Sequence, residues 1–111
     1  MADETPLLDT LAAMTAVSVE SCDLEPRELM LARIAALAAA GATPLSYLAN
    51  VGVASDAGVT LEDAQGVLVA IAPIIGTART VAAARNIMVA LGFAIAAVEA
   101  ELEAELDAEA D

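Results

Sequence analysis

Within PLSYLAN, residues 44–50, Ser46, Tyr47 and Asn50 gather three polar side chains in an apolar stretch. On a helix Ser46 and Asn50 are i,i+4 neighbours and Tyr47 and Asn50 are i,i+3 neighbours, so they lie close together. A hydroxyl, a phenol and an amide can orient a ligand through hydrogen bonds, but none shuttles a proton near neutral pH. A guanidinium beside Tyr47 and Asn50, from Arg33 or Arg79, would turn that face into a small anion-binding pocket. Glu28 could add an acid, although Glu28 and Arg33, five residues apart on one helix, do not face each other squarely. Such a set, Glu28, Arg33, Tyr47 and Asn50, would suit a small carboxylated or carbonyl ligand. The plainer reading is favoured: polar residues on an amphipathic helix need no function. On it the arginines form structural ion pairs, Arg27 with Glu20 or Asp23, Arg79 with Asp63 or another subunit.

The rest of the inventory narrows the chemistry. The chain has no His, the commonest general base and metal ligand. Cys22 is its one cysteine, with no CxxC, zinc spacing or haem motif around it. Neither metal nor cofactor is expected, and Cys22 reads as a small unreactive residue near a helix end. The net charge is −13, from 17 acids against 4 arginines. Nucleic-acid binding needs cations to displace phosphate counterions, so that partner is excluded. Residues 34–55 carry no charge and meet the length test for a membrane span. Gly41, Thr43 and Pro44 interrupt them, the flanks lack basic residues and aromatics, and no membrane partner is expected. An acidic N-terminus, MADETPLLDT, and a lone thiol point to a cytoplasmic protein.

Helices must carry these residues. The 111 residues suffice for one domain, and 59% are hydrophobic, mostly Ala, Val and Leu, against about 45–50% for a typical domain. Only 2% are aromatic, which favours close helix–helix contact over small side chains. Periodicity predicts a first helix over 7–20 and a second from Pro26, whose missing N–H suits a first turn, to a stop at Gly41. Thr43 and Pro44 read as the N-cap and first turn of a third helix, 44–57, ended by Gly58. Thr60 with Asp63 is a capping-box start for the fourth, which Pro73 ends or kinks. The fifth begins near Ala78 and carries Gly92 inside it. From about residue 99 acids alternate along the sequence, placing Glu99 against Glu103 and Glu101 against Glu105, so fraying is expected after Glu103. The expected fold is all-α, a single domain over 1–111 with a solubilising acidic tail.

The order of these signals resembles the carboxymuconolactone decarboxylase family, which includes the alkylhydroperoxidase-D-like proteins. EPRELMLARIAALAAAGA is followed by PLSYLAN and then by DAGVTLEDAQGVLVAIAPIIGTARTVAAARNIMVALG. The resemblance covers roughly Leu7 to Leu91, and its sharpest parts are the helix start at 58–63 and the Gly-Thr-Ala-Arg run at 76–79. It implies an all-α fold of five to six helices with a central antiparallel helix pair, and small subunits assembled as trimers or hexamers. Relatives keep a CxxC followed by His at the start of the third helix; here those positions hold Pro44, Tyr47 and Asn50. No dithiol cycle is possible without the cysteines. The expectation is a homo-oligomeric pseudoenzyme that has lost the family chemistry and serves assembly or interaction. The alternative is an enzyme or small-molecule binder, decarboxylase-like or lyase-like, with a rebuilt pocket around Tyr47 and Asn50.

Overall fold

A computed structural model describes residues 5–110, apart from the side chain of Ala110, and among them every regular element is an α-helix. The order is α1 (Pro6–Ser21), α2 (Pro26–Ala40), α3 (Pro44–Asp56), α4 (Leu61–Ile75) and α5 (Thr77–Ala110). Residues 1–4 of the acidic N-terminus and Asp111 of the acidic tail lie outside the described residues.

Proline opens α1, α2 and α3, and glycine closes α2 and α3. Gly41 adopts φ +72°, and the amide of Ala42 then reaches back to the Leu37 carbonyl at 3.0 Å. Gly58 repeats the device at φ +81°, with the Val59 amide donating to the Ala54 carbonyl at 2.9 Å. A Cβ is strained in this left-handed conformation, which is why glycine sits at both ends. The capping box at Thr60 is complete. The Asp63 amide donates to Thr60 Oγ1 at 3.1 Å, and the Thr60 amide donates to Asp63 Oδ2 at 2.9 Å. Thr43 occupies the N-cap position of α3, but its hydroxyl makes no capping bond; its carbonyl accepts from the Ser46 amide instead.

Two boundaries differ from the sequence reading. Pro73 lies inside α4, which runs two residues further to Ile75. The fifth helix does not fray after Glu103 but continues to Ala110. Like-charge i,i+4 pairs cost only about 0.2–0.5 kcal/mol each. The Ala, Leu and Glu residues that fill the tail are among the strongest helix formers.

The core lies among α2–α5, with Ile34 and Ala38 of α2, Tyr47 of α3, Ala64 and Leu68 of α4, and Ala83, Ile87 and Ala90 of α5 buried together. Four of these eight are alanines, so the helices approach closely, as the shortage of rings predicts. Arg79 Nη1 donates to the Ala39 carbonyl at 2.8 Å, satisfying an orphan acceptor at the end of α2. Asn86 Nδ2 donates to the Ala42 carbonyl at 3.1 Å and ties α5 to the α2–α3 turn.

Much of the chain lies outside that core. Helix α1 buries none of its residues, and a long bond from Arg33 Nη2 to the Thr15 carbonyl (3.4 Å) joins it to α2. Beyond Leu91, α5 extends past the other helices with no buried residue among those described. The radius of gyration is 16.4 Å, against about 13 Å for a compact chain of this length.

Candidate functional site

Tyr47, Asn50, Val51 and Ala54 recur at i, i+3, i+4 and i+7 and form one face of α3. That face lines a cavity of about 230 Å³. Ile34 and Leu37 of α2 close one side, Leu61 and Ala64 of α4 another, and Ile87 and Leu91 of α5 a third. The cavity is lined within a single chain and contains no ionisable side chain other than the Tyr47 phenol.

Of the polar residues lining it, Ser55 is exposed, and Asn50 and Thr60 are engaged elsewhere. Asn50 Nδ2 donates to the Ser46 carbonyl at 2.9 Å, and Asn50 Oδ1 accepts from Arg33 Nη1 at 3.4 Å. Thr60 Oγ1 serves the capping box. Tyr47 is different. Its side chain is 5% exposed, and among the described residues its buried hydroxyl has no hydrogen-bond partner. Burial pushes the phenol up from its ordinary value, so it stays a neutral O–H donor.

The residues expected from sequence divide as follows. Tyr47 and Asn50 come together at the cavity, and Arg33 reaches Asn50 from behind without lining it. Ser46 is half-buried and contributes its carbonyl to Asn50. Glu28 is exposed and forms no ion pair among the described residues. Arg79 caps α2 rather than pairing with Asp63. Arg27 pairs with Asp63 rather than with the expected Glu20 or Asp23. The anion pocket with a guanidinium in its wall therefore does not form within one chain. Ile34, Leu61 and Ile87 were missed as lining residues, because in sequence an apolar cavity wall is indistinguishable from core.

Two of the three positions singled out by the resemblance, Tyr47 and Asn50, line the cavity, while Pro44 opens α3. Cys22 follows the end of α1, half-buried, and is not a cavity residue. No group of three or more acidic, Cys or His side chains able to hold a metal ion exists among the described residues. The site can bind and orient a molecule. It offers no thiolate, carboxylate or imidazole to turn one over. Family models, curated proteins and solved structures were compared with the chain, and none matches.

Proposed function

We propose that this chain is a self-assembling helical protein of carboxymuconolactone-decarboxylase-like type, without Cys- or His-based chemistry. One observation carries the reading: the single chain exposes 7824 Å², about 2,200 Å² more than a compact folded chain of its mass. Large apolar side chains contribute to it. On α1 Leu7, Leu8, Leu11, Met14 and Val17 are all exposed, Leu7 to 69%. On α5 Ile95, Val98, Leu102 and Leu106 form an exposed apolar stripe beyond the core. The spacing from Leu91 through these four is four, three, four and four residues, the pattern of a helix seam.

A second copy of this chain is the occupant that fits. A standard interface takes about 800 Å² from each partner, so the excess leaves room for two patches on every copy. A closed ring such as a trimer uses two patches per subunit, and a hexamer built from two trimers adds a third. What supports the family reading is the order of helix signals from Pro26 to Leu91, with Pro44, Tyr47 and Asn50 in the motif positions.

Helix α5 is also long and apolar enough to cross a membrane, and only 11% of its most apolar window is buried in the chain. Self-association explains it better. Arg79 and Asn86 bond to α2 and its turn, Ala83, Ile87 and Ala90 join the core, and Arg85 would sit within a span. Multi-angle light scattering without detergent tests this. A trimer or hexamer at micromolar concentration is expected; a monodisperse monomer, or a protein recovered only in detergent, refutes it.

A further inference from the structure

The cavity and the apolar stripe of α5 are one surface. Leu91 lines the cavity and also stands four residues before Ile95 and seven before Val98, so the stripe leaves the cavity along one side of α5. Ser55, Thr60 and Leu61, also in the lining, are exposed, so the cavity opens to solvent. We propose, resting on the self-assembly reading above, that this continuous groove receives helix α1 of a second copy of this chain. The contact is head-to-tail, and one α1 side chain enters the cavity.

Length and spacing match. Helix α1 has 16 residues and is about 24 Å long, and the stripe from Leu91 to Leu106 runs about 22 Å. Leu7, Leu11 and Met14 on α1 are spaced by four and three residues, and all are exposed. Leu91, Ile95, Val98 and Leu102 repeat that alternation, which lets the side chains of two helices interdigitate. An apolar cavity of about 150 Å³ holds a benzene ring. At about 230 Å³ this one has room for a leucine or methionine side chain.

Charge decides which helix lies in the groove. Acids border the α5 stripe: Glu99 is a helical neighbour of Ile95 and Leu102, Glu101 of Val98, and Glu105 of Leu102. The last basic residue on α5 is Arg85. Two such stripes laid together would set acid against acid with no cation between them. Helix α1 carries only Asp9 and Glu20, and helical geometry puts both on the side away from Leu7, Leu11 and Met14. An α1 from another copy therefore covers the stripe without that repulsion. Pairing α1 with α1 would leave the stripe bare.

Topology agrees. Each copy offers one α1 and one groove, and a head-to-tail contact between unlike patches closes into a ring in which every patch is used.

Complementation between two defective variants tests the contact. Leu11→Glu spoils α1 and leaves the groove intact; Leu102→Glu spoils the groove and leaves α1 intact. Each alone is expected to lose the wild-type mass in light scattering, with helicity retained by circular dichroism. Their equimolar mixture can form one intact contact, and about a twofold gain in mass over either alone is expected. Ala54→Leu fills the cavity from within and is expected to lower the mass as well. Wild-type mass in either Glu variant would show that α1 does not lie in this groove, which then serves another partner. No gain on mixing would show that the contact is not head-to-tail, and wild-type mass in Ala54→Leu that the cavity takes no side chain. Each of these results overturns the assignment while assembly stands. A wild type that is itself monomeric overturns the assembly reading first, and this contact with it.

Discussion

Arg27 grips Asp63 with both arms of its guanidinium, Nη1 to Oδ2 at 2.7 Å and Nη2 to Oδ1 at 2.8 Å. The same carboxylate accepts the Thr60 amide and so caps α4 while it joins α2 to α4. A third bond, from Arg27 Nη1 to the Gly58 carbonyl at 3.3 Å, anchors the turn between α3 and α4. The Arg27–Asp63 pair therefore joins α2, the α3–α4 turn and the start of α4.

That grip predicts a pH dependence. The Arg27 guanidinium first, and then the Thr60 amide, hold the Asp63 carboxyl well below the ordinary carboxylate range. A folded pKa below the unfolded one, near 3.9, gives a stabilisation that is complete well above that value and fades as pH falls towards the folded pKa. The melting-temperature gap between wild type and Asp63→Asn is expected to stay constant from about pH 8 to 5 and to narrow below about pH 4. A gap unchanged down to pH 2 would show that the charge contributes nothing. Comparing the two proteins at each pH cancels the titration of the other 16 acids.

Arg79 predicts a loss of stability rather than of binding. Replacing it by Ala removes the donor at the Ala39 carbonyl, and about 1 kcal/mol of stability is expected to go with it. In a domain this size that is a fall of roughly 4–8 °C in melting temperature. Arg79→Lys is expected to recover part of the loss, because an ammonium can also reach a helix C-terminus.

Tyr47→Phe predicts the reverse of the usual core mutation. Removing a hydroxyl that has no partner is expected to leave stability unchanged within about 0.5 kcal/mol, or to raise it. Chemical denaturation measures this directly. A loss of 1 kcal/mol or more would mean that the hydroxyl is satisfied in solution.

The seam on α5 predicts a contrast between neighbouring sites. Leu102→Glu introduces a charge into the stripe and is expected to lower the assembly's mass in light scattering. Ala104→Glu adds the same charge on the opposite side of the helix and is expected to leave it unchanged. Identical behaviour of the two variants would place the contact elsewhere.

Cys22 predicts an absence of activity. With no His and no second thiol, Cys22→Ser is expected to leave hydroperoxide consumption at the buffer level seen with the wild type. Turnover by the wild type that vanishes in Cys22→Ser would overturn the reading of Cys22 as unreactive.

The helix boundaries at Gly41, Gly58 and Thr60 were legible because each rests on local chemistry. Gly41 and Gly58 stop helices through their own φ angles, and Thr60 with Asp63 starts one through bonds three residues apart. Tyr47 and Asn50 were legible as a candidate pair for the same reason, since helical spacing alone puts them together. Partners distant in sequence were not legible. Arg27 reaches over 36 residues to Asp63, and Arg79 over 40 to Ala39, past nearer acids. In so acidic a chain, composition offers every arginine several partners, and only packing chooses among them. The orphan hydroxyl of Tyr47 was equally hidden, because it depends on what four helices fail to place beside it.

Helix α1 buries none of its residues among those described, and residues 22–25 and the long bond from Arg33 to the Thr15 carbonyl join it to α2. In the assembly proposed above, only a neighbouring copy covers this segment. Dilution will therefore loosen it first, and its backbone amides will exchange with solvent at a rate set by protein concentration. Those of the α2–α5 core, closed by contacts within the chain, will keep their own pace.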